Sequence, residues 1–220
     1  EEGREVSYLD RQNRGGLFDL LRRHKDASFV EPAKTQLLRD RKRTEKKDGK
    51  EIEVMVTEID RSVLEYLTGV LGDGAMPILR NLYDQPDLGD RNRSTIRGVA
   101  ARYLGVSEDA NIIINNRVNE AFQRLATVGD KQKENRSRGL GTISYYLSRM
   151  GEGKNVPIET IQSRQQYLST LRVQTQDKEV LAWMDNVDRR LVTMSDPEKA
   201  KKLDSRFDSR RSPDQRRDRR

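Results

Sequence analysis

Arg136, Arg138, Gly139 and Gly141, in the run RSRGLGT at 136–142, are the residues best suited by type and spacing to hold a phosphate. Guanidinium forks bind phosphate oxygens through charge-assisted hydrogen bonds, and glycine lets a backbone approach a ligand closely. With Lys131 and Lys133, residues 131–138 carry four basic side chains against one acid. The run lacks the Gly-Lys-Ser/Thr ending of a nucleotide-hydrolysing loop, and no strand is predicted before it. It therefore reads as a basic inter-helix loop, residues 129–141, that contacts a nucleic-acid backbone or simply links two helices. A second basic group, Arg41, Lys42 and Arg43, lies within residues 22–50, which hold eleven Lys/Arg and five Asp/Glu. A third, Arg210, Arg211, Arg216 and Arg217, lies within residues 196–220, which hold ten basic and six acidic side chains. The formal net charge is +7, and the three stretches together exceed it, so the rest of the chain is mildly acidic. Basic arms on an acidic body are expected where the partner is RNA, DNA or an acidic protein neighbour.

Other chemistries are excluded by count. There is no cysteine, so disulfides, thiol nucleophiles and thiolate zinc sites are absent. His24 is the single histidine, flanked by Arg22, Arg23 and Lys25, which rules out a histidine triad or a multi-histidine metal site. It reads as a polar residue at a helix end. The acids of DQPDLGD at 84–90 lack the oxygen-ligand spacing of a calcium loop and read as an ordinary connection. No catalytic activity, cofactor or metal is expected. No apolar run approaches the length of a membrane span and no apolar leader core is visible. No membrane insertion is therefore expected, and the chain reads as soluble, inside a cell or within a virus particle. It opens at Glu1 without methionine, as a processed product or a piece of a longer chain would.

The elements that position these groups follow from apolar periodicity. Only 33% of residues are hydrophobic and 36% are charged, so the core must be modest. The predicted fold is mainly α: an irregular multi-helix bundle with one short β strand or hairpin and extended basic arms. Residues 1–16 read as a flexible lead-in ending in Gly15–Gly16. Leu17, Phe18, Leu20 and Leu21 then share a helical face, and a basic helix or arm runs from Pro32 to about Lys47. Asp48–Gly49 is a turn pair, after which Ile52, Val54 and Val56 alternate as a strand in a short, exposed hairpin. Helices follow from about Asp60, with Val63, Leu64, Leu67, Val70 and Leu71 on one side of the first. Three divisions result: 1–59, an arm with a short helix, a basic segment and the hairpin; 60–194, a helical body; and 195–220, a short helix and an Arg/Asp-rich tail.

The run TIRGVAARYLGVS at 95–107 resembles the turn of a helix-turn-helix, with Ala101 followed after three residues by Gly105, Val106 and Ser107. A DNA reader needs groove-facing polar groups at the start of the second helix. Glu108 and Asp109 stand there instead, carrying the wrong sign for phosphate, and Ile112–Ile114 call for burial. The favoured reading is a helical hairpin of a bundle. Tyr83, Tyr103, Tyr145, Tyr146 and Tyr167 likewise read as core rather than base-stacking platforms.

The expected function is that of a non-enzymatic structural subunit of a large assembly, a virion, phage particle or ribonucleoprotein-like complex. Its basic arms would contact nucleic acid or neighbouring subunits. The alternatives are a helix-turn-helix DNA-binding regulator using residues 95–127 and a protein-only scaffold or adaptor. The tail past Phe207 has no apolar side chain to offset the cost of ordering it, so it is expected to be disordered alone and ordered only in the assembly.

Overall fold

The computed structural model describes residues 8–47, 49–126, 132–152 and 156–194. Lys131, the expected final helix from Ser195 and the tail arginines Arg210, Arg211, Arg216 and Arg217 lie outside the described residues. The fold is mainly α, with nine α-helices and one two-stranded antiparallel hairpin among the described residues. The chain divides into two compact units, residues 1–98 and 99–220.

The first unit opens with α1 (Tyr8–Arg23), which runs unbroken through Gly15–Gly16, where a flexible lead-in is expected. Packing accounts for the difference: α1 lies on α3 (Arg61–Leu71), and tertiary contact outweighs the weak helix propensity of glycine. Of the four apolar residues expected on one face, only Phe18 is buried, its ring 5.4 Å from that of Tyr66 and 6.0 Å from that of Phe29. Leu17 and Leu20 are exposed. His24 follows the helix end and is exposed, in keeping with a polar end residue.

The basic helix or arm expected over 32–47 is not formed. Helix α2 (Val30–Thr35) is short, and Leu38–Lys47 is strand β1, paired antiparallel with β2 (Lys50–Ile59). The basic stretch has no apolar helical stripe of its own. Gly49, just before the Lys47–Lys50 pair closes the ladder, has φ 77°, a backbone region that favours glycine in hairpin turns. The hairpin is ten residue pairs long rather than short, and residues 40–46 and 49–53 are exposed.

Asp60 caps α3, its carboxylate accepting from the Ser62 and Val63 amides at 3.0 and 3.3 Å. Val63, Leu64, Tyr66 and Leu67 are buried, while Val70 and Leu71 are half-buried. The Tyr66 hydroxyl donates to the Asp26 carbonyl at 2.7 Å. Helix α4 (Met76–Tyr83) has Pro77 in its first turn, where no amide is needed, and it buries Met76, Leu79 and Leu82. The connection at 84–89 is a loop, α5 (Asp90–Ala100) begins at Asp90, and the Arg93 guanidinium from α5 donates to the Tyr83 and Gln85 carbonyls at 3.3 and 2.6 Å. Buried Asn92 joins α5 to the hairpin: its amide donates to the Thr57 carbonyl at 2.8 Å, and its oxygen accepts from the Ile59 amide at 3.0 Å.

The second unit contains a 3-10 turn at Ala101–Tyr103 and four helices, α6 (Glu108–Ala126), α7 (Gln132–Met150), α8 (Ile158–Arg172) and α9 (Lys178–Met194). Helix α7 packs on α6 and α9, and α8 packs on α9. Ile113, Ile114, Val118 and Phe122 of α6 are buried with Ile143 and Leu147 of α7, Leu168 of α8 and Met184 of α9. Ile112, expected to be buried with its neighbours, is exposed. Tyr146 is buried, Tyr83, Tyr103 and Tyr167 are half-buried, and Tyr145 is exposed with the Arg149 guanidinium 5.2 Å from its ring centroid. Buried Arg164 donates to the carbonyls of Met150, Glu152 and Arg102 at 2.8, 3.0 and 3.1 Å, tying the end of α7 and the 3-10 turn to α8.

Candidate polyanion-binding face

The sequence-predicted loop at 129–141 is helical from Gln132 onward. Gly139 is buried and abuts α6, where an added Cβ would stand 2.9 Å from the Ala121 carbonyl oxygen and 3.1 Å from Leu125. Its small size serves helix packing. Gly141 is exposed with open space where a side chain would be. Arg136 pairs with Asp177 and, at 3.2 Å, with Glu179. The Arg136 guanidinium, with amides at the start of α9, holds the Asp177 carboxyl below the usual carboxylate range. Arg138 pairs with Glu134 one turn earlier at 2.5 Å. Lys133 lies on α7. The candidates at 133–141 are thus spread along a helix, and its main-chain donors are largely used within it.

The helix-turn-helix-like turn also has a packing account. Gly105 adopts φ 77°, and a Cβ there would stand 3.0 Å from Arg164 Cα and 3.1 Å from Tyr167 Cβ, so α8 lies directly against it. The Gly105 amide donates to the Asn111 side chain at 2.8 Å, and the Ser107 hydroxyl accepts from the Ala110 amide at 3.4 Å.

The hairpin carries a feature that composition hides. Side chains along a strand alternate between faces, and paired residues share a face. The register pairs Arg39 with Glu58, Arg41 with Val56, Arg43 with Val54 and Glu45 with Ile52. All three β1 arginines therefore share one face with Val54, Val56 and Ile52. The opposite face holds Asp40, Lys42, Thr44 and Lys46 with Thr57, Met55, Glu53 and Glu51. Side-chain contacts respect this sorting: Arg41 meets Glu58 at 3.6 Å on the first face, while Thr57 donates to Asp40 at 2.6 Å and Lys42 meets Glu53 at 3.9 Å on the second. Val54 and Val56 are half-buried, as expected if arginine stems lie across them and leave their heads in water. The hairpin is nearly neutral in sum, yet one face is basic and the other is acidic to mixed.

At the base of the hairpin the basic face runs into a polar cavity of about 440 Å³ whose lining includes Arg39, Arg41, Arg61, Arg91, Glu58 and Asp60. Arg91 comes from α5 and meets Glu58 at 3.0 Å; Arg39 meets Asp60 at 3.8 Å. Arg61 has no ion-pair partner among the described residues. The two carboxylates are the deeper groups, 17% and 11% exposed, whereas Arg91 and Arg41 are 62% and 49% exposed at the mouth.

Of the sequence-predicted residues, Arg41 and Arg43 fall on this face and Lys42 falls on the other. Arg39, Arg61 and Arg91 were missed. Arg39 joins Arg41 only through the β1–β2 register, which the sequence of Leu38–Lys47 does not signal, and no local signal brings Arg91 near Glu58, 33 positions away. Among the described residues no cluster of His, Cys, Asp and Glu suits a metal ion, and no helix is long and apolar enough to cross a membrane. Comparison of the chain with protein-family models, with curated proteins and with solved structures finds no match.

Proposed function

We propose that the protein is a non-enzymatic subunit of a larger assembly that binds nucleic-acid phosphates through the arginine face of its β1–β2 hairpin. The observation that carries the reading is the sorting of Arg39, Arg41 and Arg43 onto one face, continuous with Arg61 and Arg91 at its base. Same-face neighbours on a strand stand about 6.6 Å apart, a spacing that lets successive guanidiniums reach successive backbone phosphates. A two-stranded ribbon is also narrow enough to enter a major groove. The arginine-rich sequence at 206–220, outside the described residues, adds positive charge of the same kind.

Binding of this type is read as counterion release. Affinity for several unrelated duplexes and single strands, measured by fluorescence anisotropy, should fall steeply as salt rises from about 50 to 200 mM, with little dependence on sequence. Strong preference for one duplex sequence, retained at high salt, would favour a regulator reading bases through α6. No measurable affinity at low salt for any nucleic acid would leave a protein-only scaffold.

A further inference from the structure

We infer that the cavity at the base of the hairpin is a site for a phosphate monoester, such as the terminal phosphate of a nucleic-acid strand or a nucleotide. This rests on the proposed nucleic-acid binding but makes a narrower claim about one place. Among the described residues the lining brings together four guanidiniums, Arg39, Arg41, Arg61 and Arg91, and two carboxylates, Glu58 and Asp60, a surplus of two positive charges. A backbone diester carries a single charge, whereas a monoester at neutral pH carries nearly two and presents three acceptor oxygens. The monoester matches the surplus.

The arrangement suits an anion entering from the mouth. The carboxylates are the more buried partners: Arg91 meets Glu58 at 3.0 Å, Arg41 meets Glu58 at 3.6 Å, and Arg39 meets Asp60 at 3.8 Å. A guanidinium has five N–H donors, so every one of these arginines keeps donors to spare. Glu58 orients two arginines from different elements and lowers the cost of fixing them when an anion arrives. The Asn92 hydrogen bonds to Thr57 and Ile59 hold α5, and with it Arg91, against the β2 end. The volume of about 440 Å³ is within the range of small-ligand sites. The outer hairpin face lacks the guanidiniums of Arg61 and Arg91, and this separates a terminal phosphate from the phosphates within a strand.

The test uses the full chain and one labelled oligonucleotide, with and without a 5′-phosphate and with and without a 3′-phosphate, plus adenosine monophosphate and adenosine as competitors. A phosphorylated end should bind about tenfold more tightly than the bare strand, the size expected of one or two charge-assisted hydrogen bonds. Arg61→Gln and Arg91→Gln should each bring the ratio close to one, and Arg43→Gln should weaken both strands equally. Adenosine monophosphate, and not adenosine, should compete if a free nucleotide suffices. Equal binding of phosphorylated and bare strands overturns the inference while leaving the hairpin reading intact, as does a ratio unchanged in both Arg61→Gln and Arg91→Gln. If no strand binds, the hairpin reading fails. Direct calorimetric titration with adenosine monophosphate then decides the site: binding lost in Arg61→Gln upholds it, and no binding overturns it.

Discussion

Gly139 lies so close to the main chain of Ala121 that a Cβ on it would stand 2.9 Å from the Ala121 carbonyl oxygen. The obstacle is backbone, which cannot swing away as a side-chain tip can. Gly141, two residues on in the same helix, faces open space. The two glycines should therefore respond to alanine with opposite signs. Gly139→Ala should destabilise the second unit by about 1–3 kcal/mol through overpacking. Gly141→Ala should stabilise it by about 0.5–1 kcal/mol, the ordinary gain for glycine to alanine in a helix interior. Urea unfolding of both variants checks this, and two shifts of the same sign would contradict the close approach of α6 and α7.

The Arg136–Asp177 pair predicts acid sensitivity. The Arg136 hydrogen bond is the largest cause lowering the Asp177 carboxyl below its ordinary value, with amides of Val180 and Glu179 adding to it. A carboxyl lowered in the folded state stabilises the fold above its unfolded value of about 3.9, and this stabilisation is lost as pH falls through the folded value. Arg136→Gln should lower the melting temperature at pH 7, and the gap from wild type should close on acidification below about pH 3.9. Added salt should narrow the gap, because the arginine is 43% exposed. A gap that stays constant from neutral to strongly acidic pH would mean that Arg136 acts by packing alone.

Phe18 tests whether the residues before 60 are an arm or part of a core. It is 1% exposed and lies between Phe29 and Tyr66. Phe18→Ala should cost about 3–5 kcal/mol, typical of deleting a buried aromatic ring. Thermal unfolding followed by Tyr and far-ultraviolet circular dichroism reports it. A loss under about 1 kcal/mol would favour a separable arm and a self-contained body from residue 60.

The helices were legible where an apolar stripe recurs at helical spacing, as with Val63, Leu64 and Leu67 of α3, all buried. Asp60 was legible as the start of α3 because capping is a local matter of one side chain and two amides. Strand β1 was not, since Leu38–Lys47 has no apolar alternation and becomes a strand only through its partner. Glycine misled twice, for opposite reasons. Gly15–Gly16 lies inside α1 because α3 supports that helix, and Gly139 lies inside α7 because α6 needs the room. Charge counting found Arg41 and Arg43 but ranked Lys42 with them. Only the register separates the faces, and register belongs to the pairing of two strands rather than to either one.

The most direct measurement removes equal charge from the two faces of the hairpin. Arg41→Gln/Arg43→Gln and Lys42→Gln/Lys46→Gln each remove two positive charges, and all four residues are exposed on β1. Affinity for a short duplex, followed across salt by anisotropy, should weaken strongly in the arginine pair. The slope of log affinity against log salt should there be shallower by about 2, one for each lost phosphate contact. The lysine pair should stay near wild type in both affinity and slope. Equal losses in the two variants would mean that net charge alone drives binding, and a larger loss in the lysine pair would place the nucleic acid on the opposite face; either result contradicts the arginine face as the binding surface.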